Sequence, residues 1–227
     1  MQPMTSDTAI ILFVKAPIQG HVKTRLAKDL NISMVTGLYK CFVGDIIHKI
    51  TAARLPFIIF YDPQGSLPMM RTWLGDHQTY AVQTGNTLGD RMAQAFQHVF
   101  SAGIRRAVLM GSDLPDLPGK SLTLALSALN THDAVIGPTL DGGYYLIGFT
   151  SQAFTARVFQ EIPWSTDAVY KATLDRFAEE NRSREKLPSW RDIDTLNDLL
   201  ILIESLKKNP GHAPKTAAYL KKSGMME

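Results

Sequence analysis

The chain has 227 residues, of which 45% are hydrophobic and 20% charged, and its formal net charge is only +3. A chain of this length buries about 70% of its unfolded surface, so we predict a single globular domain over residues 1–227. The small net charge and the scattered Lys and Arg side chains argue against nucleic-acid binding. One cysteine excludes a disulfide within the chain, and no apolar run approaches the about 20 residues of a membrane span, so we expect a cytoplasmic protein.

The first apolar run, at residues 10–14, predicts a buried strand. It ends at Lys15, and the loop that follows contains Gly20, Lys23 and Arg25. A buried strand that leads into a basic, glycine-containing loop can present backbone N–H groups and cations to phosphate. The spacing matches neither the dinucleotide-binding motif nor the P-loop motif, so we predict a nucleotide phosphate loop of another kind. The alternative is an exposed loop that happens to be basic.

Helical and extended patterns alternate along the rest of the chain, which is typical of an α/β fold with a mostly parallel sheet. Strands are predicted over residues 10–14, 56–61, 79–83, 106–110, 134–137 and 143–149. Helices are predicted over residues 33–53, 66–74, 88–102, 118–129, 165–180 and 195–206, with Ser165 as the N-cap of the fifth. The last two strands are too close together for a crossover helix, so an antiparallel pair is expected. Residues 207–227 are expected to form a basic surface tail with at most one short helix.

An aspartate follows the strand at residues 106–110. Ligands of open α/β sheets bind beyond the carboxyl ends of strands, and Mg²⁺ is usually held by one or two carboxylates plus substrate phosphates. We therefore interpret Asp113 as a ligand of Mg²⁺ or Mn²⁺ that faces the basic loop, with a turn cap as the alternative. Asp116 is expected to cap the next helix, because Pro118 suits a first helical turn.

A second loop with a ligand-binding pattern follows the strand at residues 134–137. Asp141 precedes Gly142 and Gly143, and paired glycines permit positive φ angles and close contact with a ligand. Asp141 would then face the same cleft as Asp113. The alternative is an ordinary Asp-Gly hairpin turn.

Three more residues have two interpretations each. Asp194 is either the N-cap of the last helix or a second carboxylate for the metal. Arg91 could reach a phosphate or a base, or it could simply follow an aspartate that favours the helix dipole. Trp164 could cover a substrate ring or anchor the core.

Six motifs in this order carry a resemblance to a known family. They are F-x-K-x-P-x-x-G-x-V-K-T-R-L at residues 13–26, L-G-D-R-M at 88–92, G-S-D-L-P at 111–115, G-P-x-x-D-G-G-Y-Y-L-I-G at 137–148, P-W-S-T at 163–166 and D-I-D-T-x-x-D-L at 192–199. The chain resembles the bacterial radical-SAM/selenodomain-associated transferases, candidate glycosyltransferases of the GT-A type, over about residues 10–206. The resemblance implies a three-layer α/β/α sandwich with a mostly parallel mixed sheet. This is the nucleotide-diphospho-sugar transferase fold, which is shared with molybdenum-cofactor and 2-phospho-lactate guanylyltransferases.

The resemblance also implies roles for individual residues. It places Lys15, Lys23 and Arg25 on the nucleotide phosphates, and Asp113 and Asp194 on the metal. Glycosyltransferases of this fold usually carry Asp-x-Asp at the metal, and this chain does not, so nucleotidyl transfer stays open as an alternative.

The expected function is metal-dependent transfer of a sugar from a nucleotide-sugar to a small-molecule acceptor. Lys23 and Arg25 would stabilise the leaving group, and Asp141 would act as a base on the acceptor hydroxyl. One alternative is a nucleotidyltransferase that joins a nucleoside triphosphate to a phosphorylated acceptor and releases pyrophosphate. The other is a nucleotide-binding protein without turnover, against which three candidate carboxylates in one cleft argue.

Overall fold

The computed structural model describes residues 6–226, and a seven-stranded mixed sheet forms its centre. The strands are β1 (Thr8–Lys15), β2 (Phe57–Asp62), β3 (Tyr80–Val82), β4 (Arg106–Met110), β5 (Ala134–Pro138), β6 (Tyr144–Thr150) and β7 (Arg184–Lys186). Their order across the sheet is β3-β2-β1-β4-β6-β5-β7. Only β6 runs against its neighbours, since it pairs antiparallel with both β4 and β5. The predicted antiparallel arrangement of the last two long strands is thus confirmed.

Helices cover both faces of this sheet. The described residues form α1 (Ile32–Ala52), α2 (Leu67–Leu74), α3 (Leu88–Ser101), α4 (Gly119–Ala128), α5 (Val169–Glu179), α6 (Leu196–Lys208) and α7 (Pro214–Lys222). Buried side chains of α1, α2 and α4 pack on one face, and those of α3 and α5 pack on the other. This arrangement confirms the predicted three-layer fold. No helix among residues 6–226 has both the length and the apolarity needed to cross a membrane.

Strand β1 shows why the first apolar run lacks polar alternation. Ile10 and Leu12 contribute to the core under α1, whereas Ala9 and Ile11 contribute to the core under α3. A strand covered on both faces must be apolar at successive positions, as parallel strands usually are.

The order of the strands determines which part of the sheet edge is suited to bind a ligand. The chain leaves β1 towards β2 and β3 on one side and returns to β4 on the other side of β1. The carboxyl ends of β1 and β4 therefore lie side by side at a topological switch point, where open α/β sheets bind ligands.

A third core lies between α1, α6 and α7 and includes the C-terminal residues. Residues 207–226 were expected to form a surface tail with at most one short helix. They contain the end of α6 and one short helix, α7, but α7 packs its buried side chains into this core instead of lying free on the surface. Asp45, which is fully buried in α1, accepts hydrogen bonds from the backbone N–H groups of Lys215 (2.9 Å) and Thr216 (2.9 Å) and from the Thr216 hydroxyl (2.7 Å). One carboxylate from α1, near the start of the chain, thus caps α7.

Local predictions were wrong at three places. Helix α5 begins at Val169, and Ser165 adopts φ +68°, so Ser165 is not its N-cap. The carboxylate of Asp116 accepts a hydrogen bond from Trp190 Nε1 at 3.1 Å instead of capping α4. Strand β7 was missed because all three of its residues are polar and exposed, and such a segment has no apolar pattern.

The cap on α7 can be tested by substitution. We expect Asp45→Ala to lower the free energy of unfolding by about 2–4 kcal/mol, because a helix cap and charge-assisted hydrogen bonds are lost together in a buried place. Urea denaturation measures the change. Asp175→Ala is the matched control, since Asp175 is exposed and pairs only with Lys171 on its own helix; it should change stability by less than about 0.5 kcal/mol. An Asp45→Ala effect as small as the control's would contradict the capping role.

Candidate active site

A cleft of about 860 Å³ opens at the carboxyl ends of β1 and β4. Small-molecule sites usually measure about 300–1,000 Å³, so the cleft has room for a nucleotide and a second substrate. It is lined by parts of five segments, at residues 13–25, 83–92, 109–113, 141–146 and 164–169, together with Tyr39 and Asp194.

The ammonium group of Lys23 lies at the centre of this cleft. Its Nζ atom is 2.7 Å from Asp113 Oδ1 and 2.8 Å from Asp194 Oδ1, and its side chain is only 4% exposed. Burial by itself would lower the pKa of Lys23, but the two carboxylates more than offset burial and raise the pKa above its ordinary value. Lys23 is therefore a charged group that bridges two acids from distant parts of the sequence.

The backbone holds these three side chains together. Val22 is buried in the core and anchors the loop, and Lys23 itself adopts a left-handed φ of +49°. The backbone N–H of Ile193 donates to the carbonyl of Asp113 at 3.0 Å, which joins the segment before α6 to the end of β4. Left-handed backbone at a residue other than glycine is uncommon and is often found at functional sites.

Asp194 is free to face Lys23 because another residue caps α6. Thr195 is the N-cap, and its side chain and that of Asp198 form a capping box. The interpretation of Asp194 as the N-cap is therefore wrong. Arg25 approaches the same carboxylate, with its Nη1 atom 3.5 Å from Asp194 Oδ2, but its side chain is 64% exposed and open to a ligand.

Tyr39 of α1 supports the floor of the cleft and was not singled out in the sequence. Its hydroxyl accepts a hydrogen bond from the Lys15 N–H (2.9 Å), donates one to the Lys15 carbonyl (3.1 Å) and lies 3.2 Å from Ser112 Oγ. Burial and the charge of Asp113 raise the pKa of Tyr39, so the phenol stays protonated. Tyr39 fits the apolar helical stripe of α1, and nothing in that pattern shows that its hydroxyl joins the ends of β1 and β4.

The opposite wall consists of two loops packed against each other. Asp141 lines the cleft, and its Oδ1 accepts hydrogen bonds from the Gly143 N–H (3.2 Å) and from the Thr139 hydroxyl. Gly142 has φ +91°, and a Cβ atom there would lie 2.1 Å from the Asp167 carbonyl oxygen. Gly142 therefore serves the contact between the loops, whereas Gly143 lines the cleft.

Aromatic side chains continue this wall. The rings of Tyr144 and Trp164 lie 6.4 Å apart at 74°, and both residues line the cleft. The indole of Trp164 also packs on the first turn of α3, where a Cβ at Gly89 would be 2.9 Å from its Cζ2 atom. Trp164 thus contacts both the core and the cleft.

Arg91 lies on the side of the cleft formed by α3. Its Nη1 atom is 3.2 Å from Asp62 Oδ1, and its Nε donates to the Gly85 carbonyl at 3.3 Å. Lys15 lines the cleft, whereas Gly20 forms a turn with φ +79° outside the lining. The ligand-binding roles assigned to these residues, and to those of the opposite wall, stay predictions.

Asp192 is a further acid that was not singled out in the sequence. Burial, followed by the neighbouring charges of Asp141 and Asp194, raises the pKa of Asp192 to about 6. Asp192 therefore interacts with Lys23 in addition to Asp113 and Asp194, although no three His, Cys, Asp or Glu side chains within residues 6–226 are grouped as metal ligands.

Comparison with known proteins agrees with this geometry. The family model DUF2064, described as an uncharacterized protein conserved in bacteria, matches residues 46–166. A solved structure from Desulfovibrio desulfuricans G20, described as a candidate nucleotide-diphospho-sugar transferase, is 38% identical, with a TM-score of 0.93 over 97% of this chain and 96% of that one. No curated protein sequence matches the chain.

More distant solved structures share the fold alone. CMP:2-keto-3-deoxy-manno-octonic acid synthetase, complexed with CTP, is 8% identical, with a TM-score of 0.57 over 90% of this chain and 100% of that one. The 4-diphosphocytidyl-2C-methyl-D-erythritol synthase from Anaerococcus prevotii is 10% identical, with a TM-score of 0.59 over 89% of this chain and 100% of that one. The chain therefore has the fold of nucleotide-diphospho-sugar transferases and of these two synthases.

The raised pKa of Asp192 predicts a pH-dependent stability difference. The carboxyl group is charged above about pH 4 in the unfolded chain but stays protonated up to about pH 6 in the folded protein. Its contribution to stability therefore falls as pH rises through this interval. We expect Asp192→Asn to have a higher Tm than the wild type at pH 8 and an equal Tm at pH 4, measured by calorimetry.

Asp76→Asn is the matched control for this measurement, because the Asp76 side chain is 86% exposed. It should leave the Tm unchanged at both pH values. A Tm difference for Asp192→Asn that is the same at pH 4 and pH 8 would show that the carboxyl group of Asp192 does not titrate between them.

Proposed function

The chain belongs to the DUF2064 family, and we propose that it is a metal-dependent glycosyltransferase that uses a nucleotide-diphospho-sugar. The sugar would pass from the nucleotide to a small-molecule acceptor. The observation that carries this proposal is the distribution of charge along the cleft. One wall carries Lys and Arg side chains together with Asp113 and Asp194, whereas the opposite wall, in the part of the chain that the structure describes, carries carboxylates and aromatic rings without any Lys or Arg.

The cationic wall suits a diphosphate. Lys and Arg side chains line the cleft: Lys15 at the end of β1, Lys23 and Arg25 in the loop that follows, and Arg91 in α3. An exposed guanidinium such as that of Arg25 can engage two phosphate oxygens at once, and a buried ammonium acts as a point charge. The 38% identical relative described as a candidate nucleotide-diphospho-sugar transferase supports the same donor class.

The other wall suits an acceptor without negative charge. Among the described residues at 139–169 that line the cleft, Asp141 and Asp167 are the acidic residues, and none is Lys or Arg. A phosphorylated or carboxylated acceptor would meet like charge there, whereas a neutral hydroxyl compound would find hydrogen-bond acceptors and the rings of Tyr144 and Trp164. An acceptor of this neutral kind supplies the hydroxyl group that sugar transfer needs.

Asp113 and Asp194 are the residues that would hold Mg²⁺ or Mn²⁺. Their carboxylate oxygens converge on one point, and the ammonium of Lys23 stands there as a cationic group. Oxygen ligands are those that Mg²⁺ prefers, so the donor set fits a divalent cation. When bound, such a cation neutralises charge that develops on the departing nucleoside diphosphate.

Other residues of the cleft would act on the donor and on the acceptor. Lys23 and Arg25 would place positive charge on the donor phosphates, which stabilises the leaving group. Asp141 would orient the acceptor hydroxyl and take its proton. Its Oδ1 is fixed by the turn it closes, so the carboxylate is held in one orientation towards the cleft.

A nucleotidyltransferase is the second candidate, because two synthases of this fold make cytidylyl compounds, as their names state. Such an enzyme would release pyrophosphate from a nucleoside triphosphate. A nucleotide-binding protein without turnover would show neither product.

Ligand screening separates these candidates. We expect one nucleotide-sugar, in the presence of Mg²⁺ or Mn²⁺, to stabilise the protein by about 2.7 kcal/mol at 100 times its Kd, and to be consumed when an acceptor is present. Thermal shift measures the binding and release of nucleoside diphosphate measures turnover. A preference for triphosphates with release of pyrophosphate would overturn sugar transfer, and binding without any product would overturn catalysis.

The role of Asp141 predicts a specific kinetic change. We expect Asp141→Asn to lower kcat by about 10²–10⁴-fold, the usual contribution of a general base, while the Kd for the nucleotide donor stays the same. Asp167→Asn is the matched control from the adjacent loop, since Asp167 contacts Gly142 through its backbone, and it should change kcat far less. Equal losses in the two variants would contradict a role for Asp141 as base.

A further inference from the structure

We propose that Lys23 is an exchangeable counter-ion, which occupies the position of the divalent cation until a diphosphate arrives. This proposal rests on the proposed function for its assignment of the cation to Asp113 and Asp194. It adds that the lysine and the metal exclude each other from the same two carboxylates, so the metal binds tightly only together with the diphosphate.

The ammonium of Lys23 lies at the point where Asp113 and Asp194 would hold a divalent cation. The Lys23 Nζ atom contacts one oxygen of each carboxylate, at 2.7 and 2.8 Å, as a shared cation would. Two carboxylates and one ammonium carry a net charge of −1, so the site is nearly neutral without a metal. A divalent cation added beside the ammonium would bring the local charge to +1 and place like charges in contact, which is unfavourable in a partly buried site.

An incoming diphosphate removes this conflict. Lys23 lines the same cleft as Lys15 and Arg25, so its flexible side chain has phosphate oxygens within the cleft as an alternative partner. Transfer of the ammonium from the carboxylates to the phosphate would free Asp113 and Asp194, which are the residues that would then hold the divalent cation. No covalent bond is made or broken in this step; only ionic contacts are exchanged.

Arg25 provides a contrast within the same loop. Its guanidinium is 3.5 Å from Asp194 Oδ2, makes no contact with Asp113 and is 64% exposed, so it does not occupy the position between the carboxylates. Removing Arg25 takes away the same formal charge as removing Lys23 but leaves the ammonium in place. It is therefore the matched control.

Mn²⁺ binding, followed by the loss of the free-ion signal in electron paramagnetic resonance, tests the exchange. For the wild type, we expect weak Mn²⁺ binding alone and at least about tenfold tighter binding with saturating inorganic pyrophosphate at a fixed free Mn²⁺ concentration, within the range usual for coupled sites. Lys23→Met should bind Mn²⁺ alone at least about tenfold more tightly than the wild type does, and pyrophosphate should add little further affinity. Arg25→Met should raise the affinity for Mn²⁺ alone far less than Lys23→Met does, because its guanidinium approaches one carboxylate only, at 3.5 Å.

Several results would overturn the exchange. One is a folded Lys23→Met variant that binds Mn²⁺ no more tightly than the wild type or Arg25→Met. Another, which needs no variant, is wild-type protein that binds Mn²⁺ equally well with and without pyrophosphate. Circular dichroism establishes whether each variant is folded. If Lys23→Met does not fold, Mn²⁺ binding by the wild type with and without pyrophosphate decides the proposal.

The test is independent of the transfer reaction. It uses only Mn²⁺ and pyrophosphate, so a protein that turns over no nucleotide-sugar can still show the exchange. Conversely, turnover of a nucleotide-sugar without coupling between Mn²⁺ and pyrophosphate would leave the proposed function standing and remove the exchange.

Discussion

A buried ammonium that bridges two carboxylates is the interaction on which the cleft depends. Lys23, Asp113 and Asp194 come from three segments that are far apart in the sequence, and each segment is irregular where it contributes its side chain. Only the ammonium is buried, so loss of either carboxylate would leave a buried positive charge with less compensation, which is destabilising. The loop after β1, the end of β4 and the segment before α6 are therefore held in one arrangement by the same contact that defines the site.

The antiparallel strand β6 determines what the cleft can accept. A fully parallel sheet would have required a crossover helix between β5 and β6, and the edge of the cleft would then be a helix. The short connection instead places a tight loop there, with Asp141 fixed by its own turn and Gly142 pressed against the loop at residues 163–168. This second loop brings Trp164 to the cleft. The connection between β5 and β6 and the loop packed against it therefore supply the carboxylate and the aromatic surface together.

Much of the fold could be predicted because burial leaves a local pattern. The apolar run of β1 and the helical periodicity of α3 reflect packing on both faces of a central sheet, and their predicted bounds agree with the structure to within about two residues. Strand β7 and the cap on α7 left no such pattern. The first is polar and exposed at the sheet edge, and the second depends on Asp45, which lies 170 residues from Lys215.

The sequence by itself determined most of the elements and their order, and it indicated Lys23 and Asp113 as side chains beyond the carboxyl ends of strands, because periodicity and strand ends are local properties. The pairing of those side chains was decided only by the tertiary structure. From the local sequence, Asp194 could be either the N-cap of α6 or a metal ligand. In the structure Thr195 is the N-cap, and its side chain forms a capping box with that of Asp198. That Lys23 lies between Asp113 and Asp194 follows from charge neutralisation in a partly buried site, a condition that exists only once the three segments are brought together.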